Sequence, residues 1–311
     1  MKELMHEIEI TEIPPLEPNQ QSLVAMHSLL NIFNVLRGEL ALIGITLAGN
    51  DALLVRSLAM CDVLTESLRD PAEGVGSARQ IGLHTALILA EVEAKVASFP
   101  AKRDDPEIAE SLANLRSVFA ILAVRARELL ARAHRPDHWE EYSVAELQQN
   151  FLTMFASLEK NSHGRFHITY NAALQQPCDY YIDFKIEGTM GDRLRMPAVF
   201  QDVLRDLIAN ARKYTALGGH ITAALYQDQS ELRIVVEDNG RGIPVEELAT
   251  VTHFGRRASN VGDVRTMGGG FGLTKAFLAT KQFGGRFWIA SQVGVGTRVR
   301  IQIPQAGELA A

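Results

Sequence analysis

Residues 206–215 read DLIANARKYT and residues 268–275 read GGGFGLTK, and these two stretches decide the fold of the C-terminal half. The first has apolar residues at helical spacing and predicts a helix from about Pro197 to Thr215. The second places glycines directly before a predicted helix from about Leu273 to Gln282. Backbone N–H groups at such a helix start can hold phosphate, with help from the helix dipole. A glycine cluster by itself is equally typical of a flexible loop.

Short apolar runs typical of strands lie on both sides of these helices. Ser143 and Glu146 form a capping box that predicts a further helix up to about Asn161. Helices and strands in this alternation predict a two-layer α/β sandwich with a long loop in its middle, covering residues 136–305. The predicted strands are Phe166–Tyr170, Tyr180–Ile186, Ile221–Tyr226, Leu232–Glu237, Arg286–Ala290 and Thr297–Ile303.

The predicted helix at 206–215 carries two side chains suited to a nucleotide. Asn210 can present an amide oxygen to Mg²⁺, which prefers oxygen ligands. Lys213 lies three residues later on the same helical face, where its ammonium group can meet a phosphate. Taken alone, an Asn-Ala pair within a helix is more often a surface or capping feature.

A glycine-containing turn, EDNGRGIP at residues 237–244, directly follows a predicted strand. Asp238 at the strand end can accept a hydrogen bond from an adenine amino group. Gly240 and Gly242 allow the backbone to turn and approach a flat base, because neither has a Cβ atom. Asn-Gly is also a common turn dipeptide, and the GVGT stretch at 294–297 is by itself an ordinary hairpin turn.

Taken in order, these motifs resemble those of the GHKL ATPase superfamily, and within it the sensor histidine kinases. The asparagine box of that family, NAxKYT, is present as NARKYT, and its glycine boxes DxGxG, GxGxGL and GxGT are present at 238–242, 268–273 and 294–297. THFGRR at 252–257 is similar to the phenylalanine-containing lid segment. The resemblance covers about Trp139 to Pro304 and implies that the protein binds ATP and Mg²⁺. It implies a nucleotide site formed by Asn210, Lys213, Tyr214, Asp238, Gly240, Gly242, Phe254, Gly268, Gly270, Gly272, Leu273 and Thr297.

Asp206 departs from the family pattern. The histidine kinases usually carry Asn at this first position of the box, whereas other branches of the superfamily place a water-activating carboxylate there. Two roles stay open for Asp206. It is either a catalytic base that assists phosphotransfer or a metal residue that holds a Mg²⁺-bound water beside Asn210.

The N-terminal half has the pattern of a helical domain. Four segments with short connections predict a dimeric, four-helix-bundle-like domain over residues 19–135. An extended, proline-containing lead-in covers residues 1–18, and residues 306–311 form a C-terminal tail. The helical runs are Leu23–Leu40, Asn50–Leu68, Ala78–Ser98 and Pro106–His134, the last starting after Asp105.

The segment HSLLNIFNVLRGELALI, residues 27–43, resembles the phosphoacceptor box of the same kinases. In that family a histidine on the first bundle helix takes the γ-phosphate, which makes His27 the implied acceptor, since a neutral imidazole is nucleophilic. Asn31 falls where the family can orient water for dephosphorylating the partner regulator. Ser28 stands where the family usually has an acidic residue. The alternative is a histidine that merely packs in the bundle, and His84 lies deep in another predicted helix without such a box.

Composition narrows the class of protein. A net charge of −6 argues against nucleic-acid binding, which requires clustered Lys and Arg. The two cysteines, Cys61 and Cys178, lie too far apart in sequence for a zinc motif. No signal-peptide pattern is present, and the most apolar stretch, Leu29–Ala48, contains Arg37 and Glu39, unlike a membrane span. The sequence therefore predicts a cytoplasmic protein without a membrane span, whose input is a cytosolic ligand or protein.

Together these features predict a homodimeric histidine protein kinase. It is expected to move the γ-phosphate of ATP to its own His27 and then to an aspartate of a response-regulator receiver domain. Two alternatives stay open: a nucleotide-binding scaffold or phosphatase without kinase activity, and a GHKL serine kinase of the anti-sigma-factor type. Acid-stable phosphoprotein would indicate the serine kinase, and ATP binding without labelled protein would indicate the scaffold.

Overall fold

The computed structural model describes residues 5–102, 104–134, 137–160, 162, 164–189, 191–263 and 269–305. The chain forms two compact units. The helical unit is Leu16–Pro136, and the sandwich unit is Met1–Pro15 together with Asp137–Ala311. A helical region followed by an α/β sandwich confirms the predicted fold class.

Six helices form the described part of the helical unit. They are α1 (Pro18–Ala25), α2 (His27–Ala48), α3 (Val55–Ser67), α4 (Pro71–Arg79), α5 (Ile81–Ala97) and α6 (Pro106–His134). The two long helices, α2 and α6, lie side by side. Their apolar residues recur at helical spacing, so one stripe of each helix is buried in a common core. Asp105 caps α6 as predicted, because its Oδ1 accepts the N–H of Glu107 at 3.0 Å.

The segment 69–77 differs from the prediction. A proline and two glycines predict a break between two helices there, but the structure has α4 instead. Asp70 caps this helix, since its Oδ1 accepts the N–H groups of Ala72 and Glu73 at 2.8 and 3.0 Å. The cap and the proline in the first turn explain why a helix forms despite the glycines. The described helices of this unit therefore number six rather than the predicted four.

Helix α2 is the one described helix that is long and apolar enough to cross a membrane by length and composition alone, with a mean hydropathy of 1.4. Its buried residues, among them Leu36, Leu40 and Ile43, belong to the core of the helical unit. Packing of this kind is typical of a helix in a protein core.

The strands of the sandwich unit form two sheets. They are β1 (His6–Ile10), β2 (Trp139–Ser143), β3 (Ile168–Thr169), β4 (Tyr180–Gly188), β5 (Arg193–Pro197), β6 (His220–Gln227), β7 (Glu231–Asp238), β8 (Arg286–Gln292) and β9 (Gly296–Pro304). Seven of them pair in the order β1-β8-β9-β7-β6-β4-β3, and β2 pairs with β5. The contacts β3–β4 and β4–β6 are parallel and the others are antiparallel.

Three helices cover one face of the seven-stranded sheet. They are α7 (Val144–Lys160), α8 (Val199–Tyr214) and α9 (Gly272–Gln282). Alternate residues of each strand face these helices, so Ala223, Leu225 and Ile234 are all buried. The predicted cap of α7 is present, because the N–H of Glu146 donates to Oγ of Ser143 at 3.4 Å. The site described below takes its residues from the C-terminal ends of α8 and β7 and from the starts of β9 and α9.

Strand β1 shows that the first residues belong to the sandwich unit. The sequence predicts a lead-in outside both domains, whereas the structure places His6–Ile10 antiparallel to β8 at the edge of the sheet. Ile10 is 4% exposed in the core of this unit, and Arg286 donates to both carboxylate oxygens of Glu9 at 2.9 and 2.5 Å. The alternating sequence HEIEI is short, and its partner strand lies more than 270 residues further along the chain. The pairing therefore could not be predicted from local sequence patterns. The helical unit is thus inserted between β1 and the rest of the sandwich unit.

Candidate nucleotide site and phosphoacceptor

A pocket of about 300 Å³ lies between the end of α8 and the turn after β7. The two segments are joined directly, because the N–H of Arg241 donates to the carbonyl oxygen of Tyr214 at 3.1 Å. The pocket brings together Lys213, Tyr214 and Gly240, which were predicted from two separate motifs.

Asp238 ends β7 as a buried carboxyl group, 9% exposed. Burial raises the pKa of Asp238 to about 6, against the opposing effect of hydrogen bonds from the backbone of Gly240 and Thr297. The N–H of Gly240 donates to its Oδ1 at 2.9 Å. A desolvated carboxylate of this kind favours a buried N–H partner, and the exocyclic amino group of adenine is such a donor.

The turn after β7 packs against the hairpin between β8 and β9. Gly242 has φ of 69°, and a Cβ atom there would overlap the carbonyl oxygen of Gln292. The N–H of Ile243 donates to Oγ of Ser291 at 2.8 Å, and the same hydroxyl lies 2.9 Å from Oγ1 of Thr297. The two glycine boxes predicted at 238–242 and 294–297 are therefore one packed structure.

Lys213 lies in a cluster of positive charge. Burial, followed by the neighbouring Arg257 and Arg212, lowers the pKa of Lys213 to about 8. Within the described residues, no carboxylate forms an ion pair with this ammonium group. An ammonium group held close to other cations favours an anionic ligand, and a phosphate chain has the charge to stabilise it. Arg257 belongs to the predicted lid motif, although no role was predicted for it from the sequence.

The predicted lid packs onto the glycine stretch before α9. The rings of Phe254 and Phe271 are stacked, with centroids 4.6 Å apart and planes at 24°. Asp263 follows the lid motif in the chain. Arg241, in the turn after β7, donates two hydrogen bonds to its carboxylate at 2.5 and 2.8 Å. The predicted residue Gly268 lies outside the described residues. Gly270 precedes α9, and Gly272 and Leu273 are its first two residues.

Asn210 meets the start of α9. A Cβ atom at Gly272 would lie 3.0 Å from Nδ2 of Asn210 and 3.8 Å from Cβ of Asp206. The missing Cβ of Gly272 thus lets the amide of Asn210 lie close to the helix N-terminus, where phosphate is favoured. An amide oxygen and a nearby carboxylate are hard oxygen donors, so the residues present fit Mg²⁺ bound together with a nucleotide.

Asp206 has a partner that was not predicted from the sequence. Its Oδ2 accepts a hydrogen bond from Nζ of Lys275 at 3.0 Å, and the Lys275 side chain is only 4% exposed. The single charged residue in the stretch GLTKAFLA, residues 272–279, was the signal in the sequence. The acidic residues opposite it, Asp202 and Asp206, are spaced one helical turn apart on α8.

Comparison with known proteins bears on this site. A profile of the family described as Histidine kinase-, DNA gyrase B-, and HSP90-like ATPase matches residues 197–307. This range starts just before α8 and ends after β9. Residues 197–307 of the sandwich unit, called the ATPase domain from here on, are thus similar to this family. The resemblance predicted from the four motifs is confirmed, and the residues around the pocket all lie in this ATPase domain.

Named relatives of the ATPase domain are sensor kinases. Adaptive-response sensory kinase SasA from Parasynechococcus marenigrum is 36% identical over 116 residues, which are 35% of this chain and 30% of that protein. Histidine protein kinase DivJ from Caulobacter vibrioides is 33% identical over 106 residues, which are 33% of this chain and 17% of that protein. The chain thus spans less than a third of the length of either relative.

Among solved structures, the catalytic domain of histidine kinase ThkA matches 54% of this chain and 98% of its own chain, with 20% identity and a TM-score of 0.39.

The predicted phosphoacceptor lies in the helical unit. His27 is the first residue of α2 and is 6% exposed. Its Nε2 lies 3.1 Å from Nδ2 of Asn31, one turn further on, so the two predicted residues are in contact. When the Asn31 amide donates to Nε2, the ring proton resides on Nδ1. This contact therefore favours the tautomer whose lone pair is on Nε2.

Proposed function

We propose that this protein is an ATP-dependent histidine protein kinase that phosphorylates its own His27. The observation that carries the proposal is the arrangement in the ATPase domain. A buried carboxyl group, Asp238, directly precedes Asn239 and Gly240, which line a pocket that Lys213 also lines. The carboxyl group suits an adenine base, and the ammonium group of Lys213 suits phosphates.

Each part of the nucleotide then has a partner in the proposed site. Asp238 accepts a hydrogen bond from the adenine amino group, and the backbone at Gly240 and Gly242 lies close to the base. Lys213 and the backbone N–H groups at the start of α9 hold the phosphates. Phe254 and Leu273 border this region from the lid and from α9, and the stacked ring pair keeps the lid beside the nucleotide.

Asn210 would hold Mg²⁺ together with the phosphates, with Asp206 as the second protein residue beside the ion. Bound there, the ion would neutralise negative charge that develops on the phosphates during transfer. The two roles of Asp206 differ in one measurement. If Asp206 is a base, Asp206→Asn binds nucleotide normally but loses transfer; if it only holds a metal-bound water, the variant needs more Mg²⁺ to bind ATP.

Phosphotransfer requires the imidazole of His27 to meet the γ-phosphate. In this step Nε2 attacks phosphorus, the bond to the β-phosphate oxygen breaks, and ADP leaves. The tautomer favoured by Asn31 has the required lone pair on Nε2. Because His27 is 6% exposed, transfer also requires a local movement that exposes the ring.

In the proposed function, the protein acts as a homodimer in the cytoplasm. Phospho-His27 passes its group to an aspartate of a response-regulator receiver domain, and Asn31 orients the water that later dephosphorylates the regulator. The names of the relatives support this assignment, because the matched proteins are sensory and histidine kinases.

Autophosphorylation with γ-labelled ATP tests the proposal. We expect wild-type protein to take up acid-labile label and His27→Gln to take up none, whereas the matched control His84→Gln labels like wild type. Label that survives both acid and His27→Gln would indicate a serine kinase instead.

The burial of His27 supports a second candidate function. A histidine that is 6% exposed and already bonded to Asn31 is also what a purely structural residue looks like. The protein would then be a nucleotide-binding scaffold or phosphatase of the same ATPase family. This function would be established if the protein binds ATP saturably and neither the protein itself nor any cognate partner added to it becomes labelled.

A further inference from the structure

A buried ion cluster joins α8 to α9 beside the proposed Mg²⁺ position. Nζ of Lys275 lies 3.0 Å from Oδ2 of Asp206 and 3.7 Å from Oδ2 of Asp202. Oδ1 of Asp202 lies 3.2 Å from Nη1 of Arg205. The Lys275 and Asp202 side chains are 4% and 3% exposed, and that of Asp206 is 19% exposed. Two carboxylates are therefore balanced by two cations in a largely dry environment.

The ion cluster and the proposed Mg²⁺ position lie along the same interface between α8 and α9. Asp202, Asp206 and Asn210 follow each other at intervals of four residues, so they lie on one face of α8. On α9, Gly272 approaches Asn210 and Lys275 meets Asp206 one turn further on. Asp206 thus stands between the amide proposed to hold Mg²⁺ and the ammonium group of Lys275.

This placement sets up a competition for the charge of Asp206. Carboxylate and amide oxygens one turn apart are the hard donors that Mg²⁺ prefers. Without a counter-charge, Asp206 and Asp202 beside Asn210 would attract a divalent cation even in the absence of nucleotide. Lys275 already compensates these carboxylates. Removing one partner of a buried ion pair leaves the charge of the other uncompensated, so another cation would be attracted to it.

We propose that Lys275 is a positioning residue that serves as the fixed counter-charge of Asp206 and makes Mg²⁺ binding depend on the nucleotide. With Lys275 in place, the phosphates supply the negative charge that brings Mg²⁺ to Asn210. This inference rests on the proposed ATP site, but it is independent of phosphotransfer to His27.

Thermal unfolding of the full chain with and without Mg²⁺, in the absence of nucleotide, tests the proposal. Both tryptophans, Trp139 and Trp288, lie in strands of the sandwich unit, so their fluorescence reports on that unit. We expect the Tm of wild type to be unchanged by millimolar Mg²⁺. Lys275→Met should have a lower Tm that rises by several degrees when Mg²⁺ is added, because the ion replaces the lost ammonium group.

Three further variants keep the test decisive. Lys275→Arg retains the charge and should behave like wild type. Lys275→Gln retains a donor to Asp206 but no charge, and it should show the same Mg²⁺ response as Lys275→Met even if the Met variant folds poorly. Adding Asp206→Asn to Lys275→Met should remove the Mg²⁺ response, which a merely structural role of Lys275 does not predict.

Nucleotide binding gives an independent readout. Titrating Mg²⁺ against a fluorescent ATP analogue, we expect half-maximal binding of Lys275→Met at about a tenfold lower Mg²⁺ concentration than wild type. An equal Mg²⁺ requirement, together with a Tm of Lys275→Met and Lys275→Gln that ignores Mg²⁺, would overturn the inference. Absence of nucleotide binding by wild type would instead refute the proposed function, and the Tm series would still decide the role of Lys275.

Discussion

The ATPase domain and the helical unit differ in how their candidate functional residues are held. In the ATPase domain the residues are fixed by backbone geometry, as where Gly242 lies against the carbonyl of Gln292 and Arg241 joins Tyr214. In the helical unit the candidate acceptor is one imidazole on an amphipathic helix, buried and bonded to Asn31. The first site depends on many residues that constrain one another, whereas the second depends on one side chain.

This difference decides how strongly each half supports a function. A turn that needs glycine at several positions rarely arises by chance, so the nucleotide site is supported both by its motifs and by its geometry. A histidine in an apolar helix satisfies packing as readily as chemistry. The predictions below separate the two regions, beginning with the largest expected effect.

Leu40→Ala tests whether the two units are independent. Leu40 is fully buried in α2, and its truncation should lower the free energy of unfolding of the helical unit by about 3 kcal/mol. The measurement is chemical denaturation followed by far-UV circular dichroism. Leu42→Ala, at a side chain that is 48% exposed, is the matched control and should cost less than about 0.5 kcal/mol. A large loss of ATP affinity in Leu40→Ala would show that the units do not fold separately.

Asp238→Ala tests the nucleotide site itself. Loss of a hydrogen bond to a buried charged acceptor should lower ATP affinity about 100-fold, measured by isothermal titration calorimetry. The helical unit should keep its stability. Unchanged ATP affinity would remove the main support for the proposed site.

The pKa of Asp238 adds a stability test. Because burial raises this pKa from 3.8 to about 6, the charged carboxylate lowers stability above pH 6, and this cost disappears as the pH falls towards 4. Asp238→Asn should therefore raise the free energy of unfolding by about 1–3 kcal/mol at pH 7 and by almost nothing at pH 4. A variant less stable than wild type at both pH values would contradict this account.

Ile10→Ala tests whether β1 belongs to the ATPase half of the molecule. Truncating this 4% exposed side chain should lower the stability of the sandwich unit by about 2 kcal/mol. Tryptophan fluorescence is the suitable probe, because Trp288 pairs with Glu9 in the β1–β8 register. Replacement of the neighbouring exposed residue, Thr11→Ala, serves as control. Equal stability of the two variants would mean that β1 contributes nothing to the sheet.

Lys213→Met should weaken ATP binding about tenfold, the smallest of these effects. The pKa of Lys213 is lowered to about 8, so the fraction of protonated ammonium falls as the pH rises from 7 to 9. Wild-type affinity for ATP should fall over this range, and Lys213→Met should lose that dependence. The surface variant Lys185→Met should retain it. A pH profile shared by wild type and Lys213→Met would exclude Lys213 as the phosphate-binding cation.

Much of the fold was readable from the sequence, because periodicity and glycine turns mark α8, α9 and strands β4, β6, β7, β8 and β9. Three short strands escaped. β2 and β5 pair only with each other, and β1 pairs with a strand at the opposite end of the chain. Such partners depend on tertiary structure, which local patterns do not encode.

The site was predicted to a similar extent. Tyr214, Asp238 and Gly240 were named from motifs, and the structure brings their segments together. Lys275 and Arg257 received no role, since an ion pair between two helices depends on how the helices face each other. The burial of His27 also could not be predicted, because the phosphoacceptor motif has the same sequence whether the ring is buried or exposed.

Mapping the phosphorylated residue tests the central claim most directly. The full-length protein is incubated with ATP and Mg²⁺, digested under alkaline conditions that preserve phosphohistidine, and analysed by mass spectrometry. We expect a phosphoryl group on His27 that is lost after acid treatment and is strongly reduced in Asp238→Ala at an ATP concentration that just saturates wild type. A phosphoryl group on a serine, or unmodified His27 in protein that binds ATP, would contradict it.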